Sequence, residues 1–173
     1  MTVSDSERGS LGSLLEDMVG GALDLLKRLG RIADYRDLRP TVKEFARKAR
    51  EHDYPDWWVL LLNGQQVEIE CKNLSKRPKK YLRKSTDSPF WAYDFDWMMS
   101  HMTKVWTKGS KKVLVVSSME VFTPKATAYL RQNLDGIVEV SNDQITRSTN
   151  RSKKAWSSIC TNILRSGRVD DKG

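Results

Sequence analysis

Leu11, Leu14, Leu15, Met18, Val19, Ala22, Leu23, Leu26 and Leu29 recur at helical spacing and predict an opening helix with one apolar stripe. Gly30 suits the stop of that helix, and Glu16 sits at the edge of the stripe, about a quarter turn off its centre. The polar residues 1–10 ahead of it read as a flexible lead-in. Arg31 to Leu38 reads as a first strand. Pro40 then opens a charged stretch, Thr41 to His52, with moderate helical pattern. Pro55-Asp56 precede the apolar run Trp57 to Leu62, and Asn63-Gly64 is a hairpin turn signal. Gln65 to Lys72 alternates: Val67, Ile69 and Cys71 share one face, while Glu68, Glu70 and Lys72 share the other.

From Phe90 a second helix is predicted, with Trp91, Phe95, Met98, Met102, Val105 and Trp106 on one face. Lys111 to Ser117 holds the run Val113-Leu114-Val115-Val116, a buried strand. Thr123 as cap and Pro124 at the first helical position start another helix, which should end near Gly136. Ile137 to Val140 is a short strand. A last helix, roughly 151–165, buries Ala155, Trp156, Ile159, Cys160, Ile163 and Leu164. The order is that of an α/β protein, a central mixed β-sheet flanked by helices. The expected division is a flexible N-terminus at 1–10, a core over 11–145, and a basic C-terminal helix and tail over 146–173.

Composition narrows the class. A chain of 173 residues suggests one domain large enough to bury a core. With 39% hydrophobic and 30% charged residues, it matches ordinary globular proteins. No apolar run approaches a membrane span, and the polar start carries no signal-peptide pattern. The expected location is cytoplasmic, associated with the nucleoid. Cys71 and Cys160 read as packed thiols, and two histidines without a CxxC argue against zinc. The formal net charge of +8 favours a polyanion partner. It is also clustered: Lys72 to Lys84 holds seven basic residues and no acidic one. The C-terminal segment adds a second basic cluster, including Lys153 and Lys154. Clustered charge neutralises a run of phosphates better than scattered charge does.

The candidate chemistry lies around the hairpin. Glu70 and Lys72, two apart on a strand, point to one face. The carboxylate can hold a divalent cation while the ammonium sits beside the water such a cation activates. Asp56 would complete a hard-oxygen site suited to Mg²⁺, with Mn²⁺ as a substitute. This requires Asp56 and Glu70 to share a face. A two-residue Asn63-Gly64 turn would set Asp56 opposite Cys71 and separate them. A three-residue loop, Leu62-Asn63-Gly64, with Gly64 left-handed, pairs Leu61 with Gln65 and sets Asp56 opposite Glu70. The second register is the expected one.

Pro55-Asp56, the hairpin, and Ile69-Glu70-Cys71-Lys72 together resemble the PD-(D/E)XK nuclease superfamily, with Glu16 matching its upstream helical glutamate. The resemblance covers roughly residues 11–120 and implies a restriction-endonuclease-like core. It implies that Asp56, Glu70 and the Cys71 backbone carbonyl hold the metal, that Glu16 assists, and that Lys72 serves the attacking water. In outline the chain is most similar to archaeal Holliday junction resolvases, though the Thr41–His52 stretch and the basic C-terminal helix are additional.

The implied activity is Mg²⁺-dependent DNA endonuclease action, structure-specific in recombination or repair, or of restriction type. A non-catalytic nucleic-acid-binding protein and an RNA-processing nuclease stand as alternatives. DNA is the expected partner. A homodimer fits cutting at two sites, for which the exposed faces of the second helix are a candidate interface. Lys76, Arg77, Lys79, Lys80, Arg83 and Lys84 directly follow the catalytic strand and would meet the phosphate backbone. Trp57 and Trp58 favour core packing over base stacking. Glu68 favours a solvent or supporting position, His52 and His101 surface or packing positions, and Lys104 a solvated one.

Overall fold

The opening stripe folds as helix α1, Asp5–Arg28, which begins ahead of the apolar stripe and takes in residues 5–10 of the expected lead-in. In this computed structural model the described residues are 5–39, 55–74, 93, 95–102, 106–146 and 150–167. Gly30, at φ 62°, ends α1. Its N–H bonds to the Lys27 carbonyl and that of Arg31 to the Leu26 carbonyl, the double closure of a Schellman turn. Leu15, Val19, Ala22, Leu23 and Leu26 are buried. Leu14 and Leu29, expected in the same stripe, are exposed: Leu14 lies about 100° around the helix from the buried Leu15, and Leu29 follows the last helical residue, Arg28.

Strand β1 is Ile32–Asp37, β2 Trp57–Leu61 and β3 Gln66–Lys72. After them come α2 (Phe95–His101), β4 (Lys111–Val116), a 3-10 turn (Met119–Val121), α3 (Pro124–Asn133), β5 (Gly136–Glu139), α4 (Asn142–Thr146) and α5 (Asn150–Ser166). The five strands form an open mixed sheet in the order β1-β2-β3-β4-β5. The first three are antiparallel neighbours, while β3, β4 and β5 run parallel. Thr123 caps α3 through the Ala126 N–H with Pro124 behind it, as its sequence predicts.

Both faces of the sheet are covered. Val67, Ile69, Cys71, Val113 and Val115 pack with the apolar faces of α1 and α5. Leu114 and Val116 pack with Met98 and Met102 of the α2 segment and Ala126 and Leu130 of α3. The polar face of β3 is therefore not a solvent face. Glu68, 4% exposed, does not take the solvent position, one of the two expected of it. Its carboxylate accepts the Thr107 N–H at 2.7 Å. The second helix α2 ends at His101, so Trp106 lies outside it.

Two glycines in the middle of α1 admit two tryptophans. A Cβ at Gly20 would stand 2.8 Å from Cη2 of Trp57, and one at Gly21 2.9 Å from Trp156 of α5. Alanine in a helix interior ordinarily gains about 1 kcal/mol over glycine. Overpacking costs about 1–3 kcal/mol, so Gly20→Ala is expected to lower the urea midpoint. A raised midpoint would show that the indole has room to retreat.

The sheet gives the molecule two poles. At one, the Asn63 side chain donates to the Gly167 carbonyl at 2.8 Å, joining the β2–β3 turn to the end of α5. At the other lie the C-terminal ends of β3, β4 and β5 and the start of α5. The Thr41–His52 stretch, Phe90, Trp91, Lys104, Val105, the His101 side chain and the basic run Lys76 to Lys84 lie outside the described residues. Among the described residues no helix is long and apolar enough to cross a membrane.

Candidate metal centre

Gly64 adopts φ 81°, and its N–H closes on the Leu61 carbonyl, while the Leu61 N–H bonds to the Gln65 carbonyl. This is the three-residue loop with left-handed glycine. The pairs Trp57↔Ile69 and Trp58↔Glu68 follow from it, and one step further sets Asp56 opposite Glu70. The two carboxylates meet at the C-terminal end of β3.

The same register accounts for Pro55. In an antiparallel ladder alternate residues turn both N–H and C=O to the partner strand. Leu61–Gln65 is such a pair, so Val59–Val67, Trp57–Ile69 and Pro55–Cys71 follow. Proline has no N–H to give, so the Cys71 carbonyl has no ladder donor from β2. The Cys71 N–H is taken by Asp56 Oδ2 at 2.6 Å, which fixes that carboxylate beside the strand.

Glu70 is 2% exposed. Its Oε1 pairs with the Lys72 ammonium, while its Oε2 is buried without a hydrogen-bond partner. A buried carboxylate oxygen with no donor is costly and is the acceptor a hard cation would satisfy. Burial and the nearby Glu70 charge push the Asp56 pKa up to about 7, against the Cys71 N–H, Lys72 and Arg39, which favour the charged form. Burial also raises Glu70, with Lys72 opposing and Glu16 adding to the rise. Burial works against the Lys72 charge, but Glu70 and Asp56 outweigh it and hold its pKa above the ordinary lysine value. Two carboxylates that resist ionisation together beside one ammonium form a pocket short of positive charge.

The residues fit a divalent cation held by Asp56, Glu70 and the Cys71 carbonyl. The Cys71 thiol takes no part: burial first, then Asp56 and Glu70, push its pKa well up. Glu16 lies close enough for the Asp56 charge, after burial, to raise its pKa. Among the described residues, however, no three acidic, histidine or cysteine side chains stand at ligand spacing.

The carboxylate of Glu16 is held by Arg39, at 3.1 Å from Nη1. The same guanidinium reaches Asp17 at 3.2 Å and Asp37 at 2.6 Å, and lies over the Trp57 ring at 4.7 Å from its centroid. Arg39 carries no signal in the sequence beyond its neighbour Asp37, because the residues it joins come from α1 and β2. Trp57 packs in the core, while Trp58 is half-buried under Arg36. Lys153 and Lys154 are exposed in the first turns of α5, at the same pole as Glu70 and Lys72.

No protein-family profile, curated protein or solved structure matches this chain.

Proposed function

We propose that this chain is a divalent-metal-dependent DNA endonuclease built on a restriction-endonuclease-like core. The observation that carries the reading is the meeting of Asp56 and Glu70 beside Lys72, with Glu70 Oε2 buried and unpartnered. The order of elements from α1 to β4, an antiparallel three-stranded unit joined to a parallel strand, agrees with the PD-(D/E)XK pattern.

Mg²⁺ at Asp56 and Glu70 would supply Lewis acidity toward water and toward charge building on a phosphate. The chain's own groups do the rest. Lys72 stays protonated and gives one fixed positive charge where the attacking water and the scissile phosphate meet. The Cys71 N–H holds Asp56 in one orientation, so the ligand set needs little rearrangement. Lys153 and Lys154 stand at the pole where a polyanion would approach, and the basic segment Lys76 to Lys84 follows β3 in the sequence. These lysines and arginines would position the backbone without reading sequence.

The deciding experiment is cleavage of labelled linear, nicked, flap and four-way-junction DNA, with RNA in parallel, in Mg²⁺ or in EDTA. Metal-dependent cutting of DNA supports the reading, and the preferred substrate separates junction from restriction-type action. Cutting of RNA alone replaces it with the RNA-processing alternative. Binding without cutting of any substrate replaces it with a nucleic-acid-binding protein on the same fold.

A further inference from the structure

We infer that Arg39 is a positioning residue that withholds Glu16 from the cation, leaving a site of two carboxylates and one carbonyl. This rests on the metal-centre reading above. Glu16, Asp56 and Glu70 are all described residues, and they do not stand together as a three-ligand group. Glu16 is instead engaged by Arg39, whose side chain is itself three-quarters buried at 24% exposure.

Arg39 is held from several sides. Its Nε and Nη2 bond to the two Asp37 oxygens at 2.9 and 2.6 Å, and its backbone N–H bonds to Asp37 Oδ1 at 3.0 Å. Trp57 supports the guanidinium plane, and Trp57 is itself seated against Gly20 of α1. A planar guanidinium gripped at both edges and on one face is a fixed donor, not a mobile surface charge. Glu16 must therefore break from a preorganised partner before it can reach a cation.

The local charges are Glu16, Asp17, Asp37, Asp56 and Glu70 against Lys72 and Arg39. Removing Arg39 deletes one positive charge and releases the three carboxylates it pairs, of which Glu16 is the one whose charge reaches Asp56 and Glu70. Removing the Glu16 charge deletes only a carboxylate that is already neutralised. A pure field effect moves cation affinity in opposite directions in the two variants and adds in the double variant. A withheld ligand makes the Arg39→Ala gain depend on Glu16, so the double variant loses all of it.

The test is Mn²⁺ binding to the full chain without DNA, by calorimetry or by the electron paramagnetic resonance of free Mn²⁺. Arg39→Ala is expected to bind Mn²⁺ about tenfold more tightly than wild type. Glu16→Gln should weaken binding by no more than about threefold, and the double variant should lose the gain. Arg39→Lys keeps the charge and serves should the alanine variant fold poorly. It should tighten binding less than Arg39→Ala, since a flexible ammonium holds Glu16 less rigidly than the guanidinium fork.

The inference is overturned if Glu16→Gln weakens binding more than Arg39→Ala tightens it, because Glu16 is then already a ligand. It is overturned equally if Arg39→Ala leaves Mn²⁺ affinity unchanged. A wild type that neither binds Mn²⁺ nor cleaves DNA overturns the metal-centre reading and this inference with it. A wild type that does both, with an unaltered Arg39→Ala affinity, overturns this inference alone.

Discussion

Lys72→Ala is expected to lower the turnover of DNA cleavage by about 10²–10³-fold at saturating Mg²⁺, the usual loss when one preorganised charge is removed from a reacting centre. The side chain is about a third exposed and lies against Glu70, so it is a poor general contact for DNA. Binding of uncleaved DNA should therefore change little, and fluorescence anisotropy in Ca²⁺ would check this. The substitution also leaves Glu70 buried without its counter-charge, which costs stability. Turnover should accordingly be compared at a temperature where circular dichroism shows both proteins folded. A variant that cuts at the wild-type rate would remove Lys72 from the reaction and leave it as the partner of Glu70.

Asp56→Asn is expected to stabilise the metal-free protein above pH 7 while abolishing its response to Mg²⁺. The sign follows from linkage. A carboxyl whose pKa rises from 3.8 to about 7 on folding binds more protons in the folded than in the unfolded state. Wild-type stability from this group therefore falls as pH rises from about 4 to about 7. Asparagine keeps an oxygen for the Cys71 N–H but carries no charge, so that part of the pH dependence disappears.

With Glu70 coupled to the same site, the gain above pH 7 is on the order of 2 kcal/mol, or about 5 °C in Tm for a chain of this size. Mg²⁺ at ten times its Kd should stabilise the wild type by about 1.4 kcal/mol and the variant not at all. Thermal melts from pH 4 to 9, with EDTA and with Mg²⁺, test both parts. A variant less stable than wild type at pH 8 would mean that Asp56 is held charged by partners stronger than the Cys71 N–H.

The part of the site written on one hairpin was legible from sequence. Asn63-Gly64 limits the turn, and side-chain alternation then decides whether Asp56 and Glu70 meet. Gly64 at φ 81° selects the register that brings them together. Pro55 was legible as a mark before Asp56. Its use, leaving the Cys71 carbonyl without a donor, needed the register. The Thr123-Pro124 start was legible for the same local reason, since cap and first turn lie within four residues.

What was not legible depends on contacts between distant segments. Glu68 alternates like a solvent-face residue, yet the sheet is covered on both sides, and a segment almost forty residues away supplies its donor. Arg39 joins residues 22 and 23 positions upstream, and no local pattern marks such a pairing. The short helix α4 was missed because five residues carry too little periodicity to register.

The shared direction of α1 and α5 decides from which end the molecule can be tethered. Gly167, the last described residue, rests against Leu61 and Gln65 at the turn pole. A tag or surface linkage placed beyond it starts away from Asp56 and Glu70. α1 runs the same way but begins at Asp5. It therefore reaches eleven residues, about 16 Å of helix, past Glu16 at the pole of Asp56 and Glu70. A fusion ahead of Asp5 would start at that pole, so linkage beyond Gly167 is the geometry that starts farther from Asp56 and Glu70.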